Sequence, residues 1–373
     1  MQQVGKIGLM AGWLMCAAWA LGALPQRTIV MISDGTGPAS LTVARQVKGE
    51  ALALDRAIYG LIETRSANSS VTDSAAAATA LACGQRTNNG MVGQAPDGTR
   101  LRSIAEQAKA EGKAVGIVTT DSITGATPAG FSAHVPHRSQ TAAILSQQIA
   151  SGFDLFLGGG RAALTAPLHE RLTAEGYTLV EDAAALRAAT GKTFGLFAPG
   201  VMTAMVSRRS GAPCAEPTLQ EMTAKALALL DGNPQGFFLL IEGAQVDKGN
   251  HAHDLPWATY ELLAFDETVA LVLDWAAQHP GTAVVITADH ETGGLTLLQE
   301  PHEGARAAAI RGATRKNARS PKVCAVHYSS GDHSGVDVFL GGNDPSRRAL
   351  RNCDLPLALG LTPEAAAAPT PAP

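Results

Sequence analysis

Short apolar, β-rich runs alternate with helix-forming stretches along nearly the whole chain, and this alternation constrains the fold more than any other feature. Strands are expected at 28–32, within 54–64, and at 114–119, 153–157, 236–241, 281–287 and 336–340. Helices are expected at 38–47, after Ser74, and at 101–111, 140–150, 219–230 and 257–275. Runs this short and this apolar suit strands covered on both faces. The expected fold class is α/β, a mainly parallel central sheet with helices on both faces. Asp34, Glu242 and the pair Asp289-His290 each follow an apolar run directly, and Thr127 follows another by a few residues. In an open α/β sheet the carboxyl ends of the strands share one edge, and sites assemble there. One such acid is usually a loop cap; several, with histidines, are not explained that way.

Composition sets the outer bounds. Hydrophobic residues make up 46% of the 373 and charged residues 17%, which excludes a disordered chain. A net charge of −4 provides no basic footprint for nucleic acid. Lys6, the apolar run 7–21 and the small residues Ala18, Ala20 and Ala23 read as a secretory signal over 1–23. A membrane anchor is the alternative, but the run is short for a span. The expected location is periplasmic or secreted, with no membrane attachment once the signal is cleaved. A single domain is expected over 24–361 and a disordered Pro/Ala tail over 362–373. Outside the signal lie Cys83, Cys214, Cys324 and Cys353, enough for two disulfides; Cys324 with Cys353 is the preferred pair, and Cys83 can instead be a buried thiol.

The segment 71–84, VTDSAAAATALACG, sets an Asp-Ser pair before a run of small residues with high helix propensity. Asp73 is a good N-cap, which puts Ser74 in the first turn beside unpaired backbone N–H groups and the positive end of the helix dipole. That environment suits an oxygen that carries negative charge or a phosphoryl group. A capped Ala-rich helix is the plainer alternative for this window alone.

Four further segments carry ligand-type side chains. In IEGAQVDKGNHAHD, Asp247 and His251 stand four apart and share one face of a helical turn, a carboxylate–imidazole pair suited to zinc. Glu242 lies at the preceding strand end and serves a different ion. His253 and Asp254 are read as solvated. ITADHETGG sets Asp289 and His290 at a strand end, and SSGDHSGVDVFL sets His333 in a Gly/Ser loop with His327 as its competitor. ATPAGFSAHVPHR contains Thr127, a hard-ion hydroxyl, and Arg138, whose planar guanidinium can hold two phosphate oxygens. His134 is read as a core histidine.

Taken together, these motifs resemble the alkaline phosphatase family. The resemblance runs in the family's order from Met31 to Gly335 through MISDGTG, VTDSAAAATALACG, ATPAGFSAHVPHR, GFFLLIEGAQVDKGNHAHD, ITADHETGG and SSGDHSG. It implies a phosphomonoesterase acting on small phosphate monoesters, with two Zn2+ and one Mg2+. By position, Asp247, His251 and His333 would hold the first zinc, and Asp34, Asp289 and His290 the second, beside a Ser74 nucleophile. Asp34 would also reach the magnesium held by Thr127 and Glu242, and Arg138 would clamp the phosphate. GGG at 158–160 matches a structural turn. The resemblance implies a homodimer, and the compact chain leaves a monomer open.

The chain departs from the family pattern in two places. Gly125 stands where many relatives carry Asp or His, so an acidic partner is missing there and Lys248 is expected to face phosphate through water. The basic segment 306–322 is read as a solvated loop, with steering of anionic substrates as the alternative. Two other functions compete: a phosphodiesterase or phosphonate hydrolase of the same metal superfamily, and a non-catalytic protein that sequesters zinc or phosphate.

Overall fold

The computed structural model describes residues 24–211, 213–298 and 325–362. The expected signal, the preferred disulfide partner Cys324, the basic segment 306–322 and all of the Pro/Ala tail but Thr362 lie outside these residues. Among the described residues Cys83, Cys214 and Cys353 form no disulfide.

Eight strands precede the last third of the site: β1 (Arg27–Ser33), β2 (Ile58–Ile62), β3 (Ala114–Ser122), β4 (Leu155–Gly159), β5 (Thr178–Val180), β6 (Thr193–Leu196), β7 (Phe237–Gly243) and β8 (Thr282–Thr287). Two small ribbons follow, β9 (Glu291–Thr292) with β12 (His333–Ser334), and β10 (Leu295–Leu298) with β11 (Ala325–Tyr328). β13 (Val338–Gly342) then returns to the main sheet. That sheet has nine strands in the order β2-β13-β8-β1-β7-β3-β4-β6-β5. β1, β3, β4, β5, β6, β7 and β8 pair in parallel, and β13 alone runs antiparallel to its neighbours β8 and β2. The expected α/β sheet is therefore present.

The inner strands show why. Every residue of β7 and β8 is buried, as is every residue of β1 after Arg27. Alternating faces cannot be assigned to water and core, so helices must cover both. Phe237, Phe238, Phe131, Phe156 and Phe194 are fully buried, each contributing about 2–3 kcal/mol of transfer free energy.

Two glycines bring the site's elements together. The helix Ser74–Cys83 is buried at every residue and packs against the helix Ala126–Ser132. A Cβ at Gly130 would lie 2.7 Å from the Ala78 Cβ, so the two backbones approach as closely as small residues permit. This close approach explains the Ala-rich sequence, and the two helices carry Ser74 and Thr127. Gly35 takes φ 74°, and a Cβ there would lie 2.5 Å from Asp247 Cα. The turn after β1 can thus press against the helix Gln245–His251.

The helix Ala126–Ser132 escaped the sequence reading, and Gln245–His251 was expected only as a helical turn carrying Asp247 and His251. Both are seven residues long, Gly- or Pro-bearing and buried almost throughout, so neither shows an amphipathic period. The strands Thr178–Val180 and Thr193–Leu196 escaped because they are short outer strands.

Candidate active site

Asp73 accepts from Ala76 N–H at 2.9 Å through Oδ1 and so caps the helix that Ser74 begins. Its Oδ2 lies 3.2 Å from Arg138 Nη1, which brings the guanidinium beside the same helix start. Burial works against the Asp73 carboxylate, but the N–H groups of Ala76 and Gly90 and the charge of Arg138 outweigh it and hold its pKa below the usual range. Ser74 is 4% exposed, and its Oγ lies 3.1 Å from His290 Nε2.

Around Ser74 the carboxyl ends of four adjacent strands, in the sheet order β8, β1, β7 and β3, deliver acids: Asp289, Asp34, Glu242 and Asp121. Asp34, Asp289 and His290 converge. His290 Nε2 lies 3.5 Å from Asp34 Oδ1 and 3.2 Å from Asp289 Oδ2. Asp247, His251 and His333 converge beside them. His251 Nε2 is 3.2 Å from His333 Nε2 and 3.3 Å from Asp247 Oδ1, and His333 Nε2 is 3.6 Å from Asp247 Oδ1. Two ligand atoms of a tetrahedral ion at zinc bond lengths stand about 3.3 Å apart, and the 3.2–3.6 Å separations just given lie close to that spacing.

The ring nitrogens are set for that task. Nδ1 of His251 faces Gly331 O at 2.8 Å, and Nδ1 of His333 faces Thr72 O at 2.8 Å. A carbonyl only accepts, so each ring donates from Nδ1 and turns the Nε2 lone pair to the centre. His290 Nδ1 lies 3.2 Å from Thr292 Oγ1, which donates to Asp247 Oδ1 at 2.6 Å. Thr292 therefore links the two triads.

The electrostatics also call for cations. Burial, then Asp289, Asp247 and Glu242, raise the Asp34 pKa well above the usual range. Burial, then Asp121, push Glu242 up to about 8 against the hydrogen bond from Thr119. The Asp247 hydrogen bond raises His251 to about 9, and burial followed by His290 lowers His333. Asp34 Oδ1, Asp289 Oδ2 and Thr127 Oγ1 are buried without a hydrogen-bond partner. Buried, unpaired oxygens on crowded carboxylates are costly unless a cation joins them. The oxygen and imidazole donors present fit zinc in the two triads and a harder ion beside Glu242 and Thr127.

Three expectations change. Lys248 does have an acidic partner: its Nζ lies 3.1 Å from Asp121 Oδ2, a residue the sequence reading passed over. His253 and Asp254 are exposed but engaged, His253 stacked on Tyr328 and Asp254 capping Trp257 N–H at 3.0 Å. Asp332 joins His251 and His333 in a further ligand-type group. A sequence signal for it existed: Asp332-His333 repeats Asp289-His290, and in both pairs the Asp Oδ1 accepts from the N–H of the following His, at 2.8 and 2.9 Å. His327 lies instead in β11, opposite Thr296.

The model of the family described as "Alkaline phosphatase" matches residues 26–340. The chain belongs to the alkaline phosphatase family. It is similar to alkaline phosphatase 4 of Bacillus subtilis, with 33% identity over 73% of this chain and 62% of that protein. It thus spans about three-fifths of that relative's length. It is also similar to the streptomycin-6-phosphate phosphatase of Streptomyces griseus, with 36% identity over 88% of each. Among solved structures, the cold-active alkaline phosphatase of Shewanella sp. has a TM-score of 0.79 at 28% identity, covering 90% of this chain and 98% of that one. The alkaline phosphatase of the Antarctic bacterium TAB5 has a TM-score of 0.78 at 28% identity, covering 91% and 97%. Variants of the TAB5 protein are described with Mg bound in an M3 site. No described helix is long and apolar enough to cross a membrane.

Proposed function

We propose that this alkaline-phosphatase-family chain is an exported phosphomonoesterase, with residues 24–361 as its catalytic domain. It hydrolyses small phosphate monoesters through a phosphoserine on Ser74. The observation that carries the reading is the Ser74 Oγ, 3.1 Å from His290 Nε2, at a helix start where Asp73 also holds Arg138.

Asp247, His251 and His333 would hold one zinc, Asp34, Asp289 and His290 the other, and Glu242 and Thr127, with Asp34, a magnesium. Bound there, the cations lower the pKa of the serine hydroxyl and stabilise the leaving alkoxide. The chain's own residues supply the rest. Burial of Ser74 at the helix N-terminus excludes competing water and favours a developing oxyanion. The Oγ gives up its proton and attacks phosphorus in line, the Oγ–P bond forms, the ester P–O bond breaks, and the alkoxide leaves as the alcohol on taking up a proton. Water then attacks the phosphoserine from the opposite side and releases phosphate and the free Ser74 hydroxyl. Arg138 pairs with two non-bridging phosphoryl oxygens, and Asp73 fixes its plane. Lys248 adds positive charge on the same side.

The test compares purified protein supplied with Zn2+ and Mg2+ with its Ser74→Ala variant, using a chromogenic monoester and a phosphodiester. Monoester turnover that falls by about 10^3-fold or more in Ser74→Ala supports the reading. A preference for the diester moves the chain to the neighbouring hydrolases. Tight zinc binding with no turnover of either substrate makes it a binding protein.

A further inference from the structure

Position 125 has no side chain, yet the space that one would fill is not empty. A Cβ on Gly125 would lie 3.0 Å from Asp121 Oδ2 and 2.9 Å from Ser122 O. The carboxylate of Asp121, which enters from the end of β3, therefore sits where a residue at 125 would project. It is held there at both ends. Its Oδ1 accepts from Ser122 N–H at 2.7 Å, and its backbone N–H donates to Thr119 Oγ1 at 2.8 Å. Thr119 Oγ1 in turn donates to Glu242 Oε2 in a short hydrogen bond. Its Oδ2 takes the Lys248 ammonium at 3.1 Å. Asp121 thus stands between Glu242, whose neighbour Thr127 has an unpaired buried hydroxyl, and Lys248, which follows the ligand Asp247.

We propose that Asp121 is the positioning carboxylate of the Glu242–Thr127 cation site in this chain, taking from β3 the part that a side chain at position 125 would otherwise play, and that it fixes the Lys248 ammonium over the phosphate-binding side. This inference rests on the reading above. Asp121 touches neither substrate nor reacting atoms; it acts through Lys248 and through the outer shell of the cation. It also changes what Gly125→Asp would do. That substitution restores no missing group; it forces a second carboxylate into occupied space.

Asp121→Asn keeps an oxygen for Ser122 N–H and removes the charge, so the fold is retained and its melt serves as the control. Metal-stripped protein is titrated with Mg2+ by calorimetry. The expected result is about 10- to 100-fold weaker Mg2+ binding in Asp121→Asn, the usual cost of losing an outer-shell partner. Monoester kinetics on metal-loaded protein then compare Asp121→Asn, Lys248→Gln and the double variant. Both single variants raise KM several-fold, and the double variant is no worse than Lys248→Gln, because Asp121 acts through Lys248. Wild-type Mg2+ affinity in Asp121→Asn, or additive KM effects in the double variant, overturns the inference. A wild-type protein without monoesterase activity overturns the underlying reading instead, and leaves the Mg2+ titration to judge Asp121 by itself.

Discussion

Asp73 lies 3.2 Å from Arg138 through one carboxylate oxygen while the other caps the Ser74 helix. One side chain thus fixes both the serine and the guanidinium proposed to face the same phosphoryl group. Asp73→Asn separates the two tasks. Asn caps a helix as well as Asp does, so thermal stability is expected to stay within about 1 kcal/mol of the parent. The amide cannot pair with Arg138 as a carboxylate does, and kcat/KM for a monoester is expected to fall about 10-fold or more. Steady-state kinetics beside a thermal melt check both halves.

Thr292 offers a second separation. Its hydroxyl donates to Asp247 and faces His290 Nδ1, yet it is not placed among the metal ligands. Thr292→Val keeps shape and removes the link. Zinc affinity, measured by competition with a chromogenic chelator, is expected to fall about 10- to 100-fold. Both ions should be weakened, since each triad loses an orienting bond.

Removing the metals should change how stability responds to pH. Glu242 titrates near 8 in the folded, cation-free protein, so between its ordinary value and 8 the folded state holds a proton that the unfolded chain has lost. His251, raised to about 9, likewise holds a proton that the unfolded imidazole releases above its ordinary value. In each case the folded state binds more protons, so stability falls as pH rises through the folded pKa. His333 is lowered and acts in the opposite sense only below the ordinary imidazole value. The chelator-treated protein is therefore expected to melt at progressively lower temperature from pH 7 to 9. The Zn2+- and Mg2+-loaded protein should not follow, because cations replace those protons. Differential scanning calorimetry across that range checks the sign.

Much of this arrangement was legible in the sequence because it lies at strand ends. Apolar runs fixed where β1, β7 and β8 stop, and the acids just beyond them had to share an edge. Asp247 and His251 were legible from helical spacing. Asp121 was not, because it stands inside the continuation of β3 and its role depends on the absence of a side chain four residues later. Thr292 was not, because a threonine in a two-residue strand carries no periodic signal. Asp332 could have been found by noticing that the chain contains two Asp-His pairs, at 289–290 and 332–333.

The short ribbon that pairs His333 with Thr292 has a consequence for how the molecule is made. Asp34 and Ser74 leave the ribosome early, whereas His333 arrives only after almost all of the sheet's strands have been synthesised. The proposed cation centre therefore joins elements from the early and the late parts of the chain. A chain cut short before β12 can still contain every strand from β1 to β8, but it lacks His333, one of the proposed zinc ligands. Retention of metal at the proposed centre is then expected only once the late ribbon has docked on the early strands.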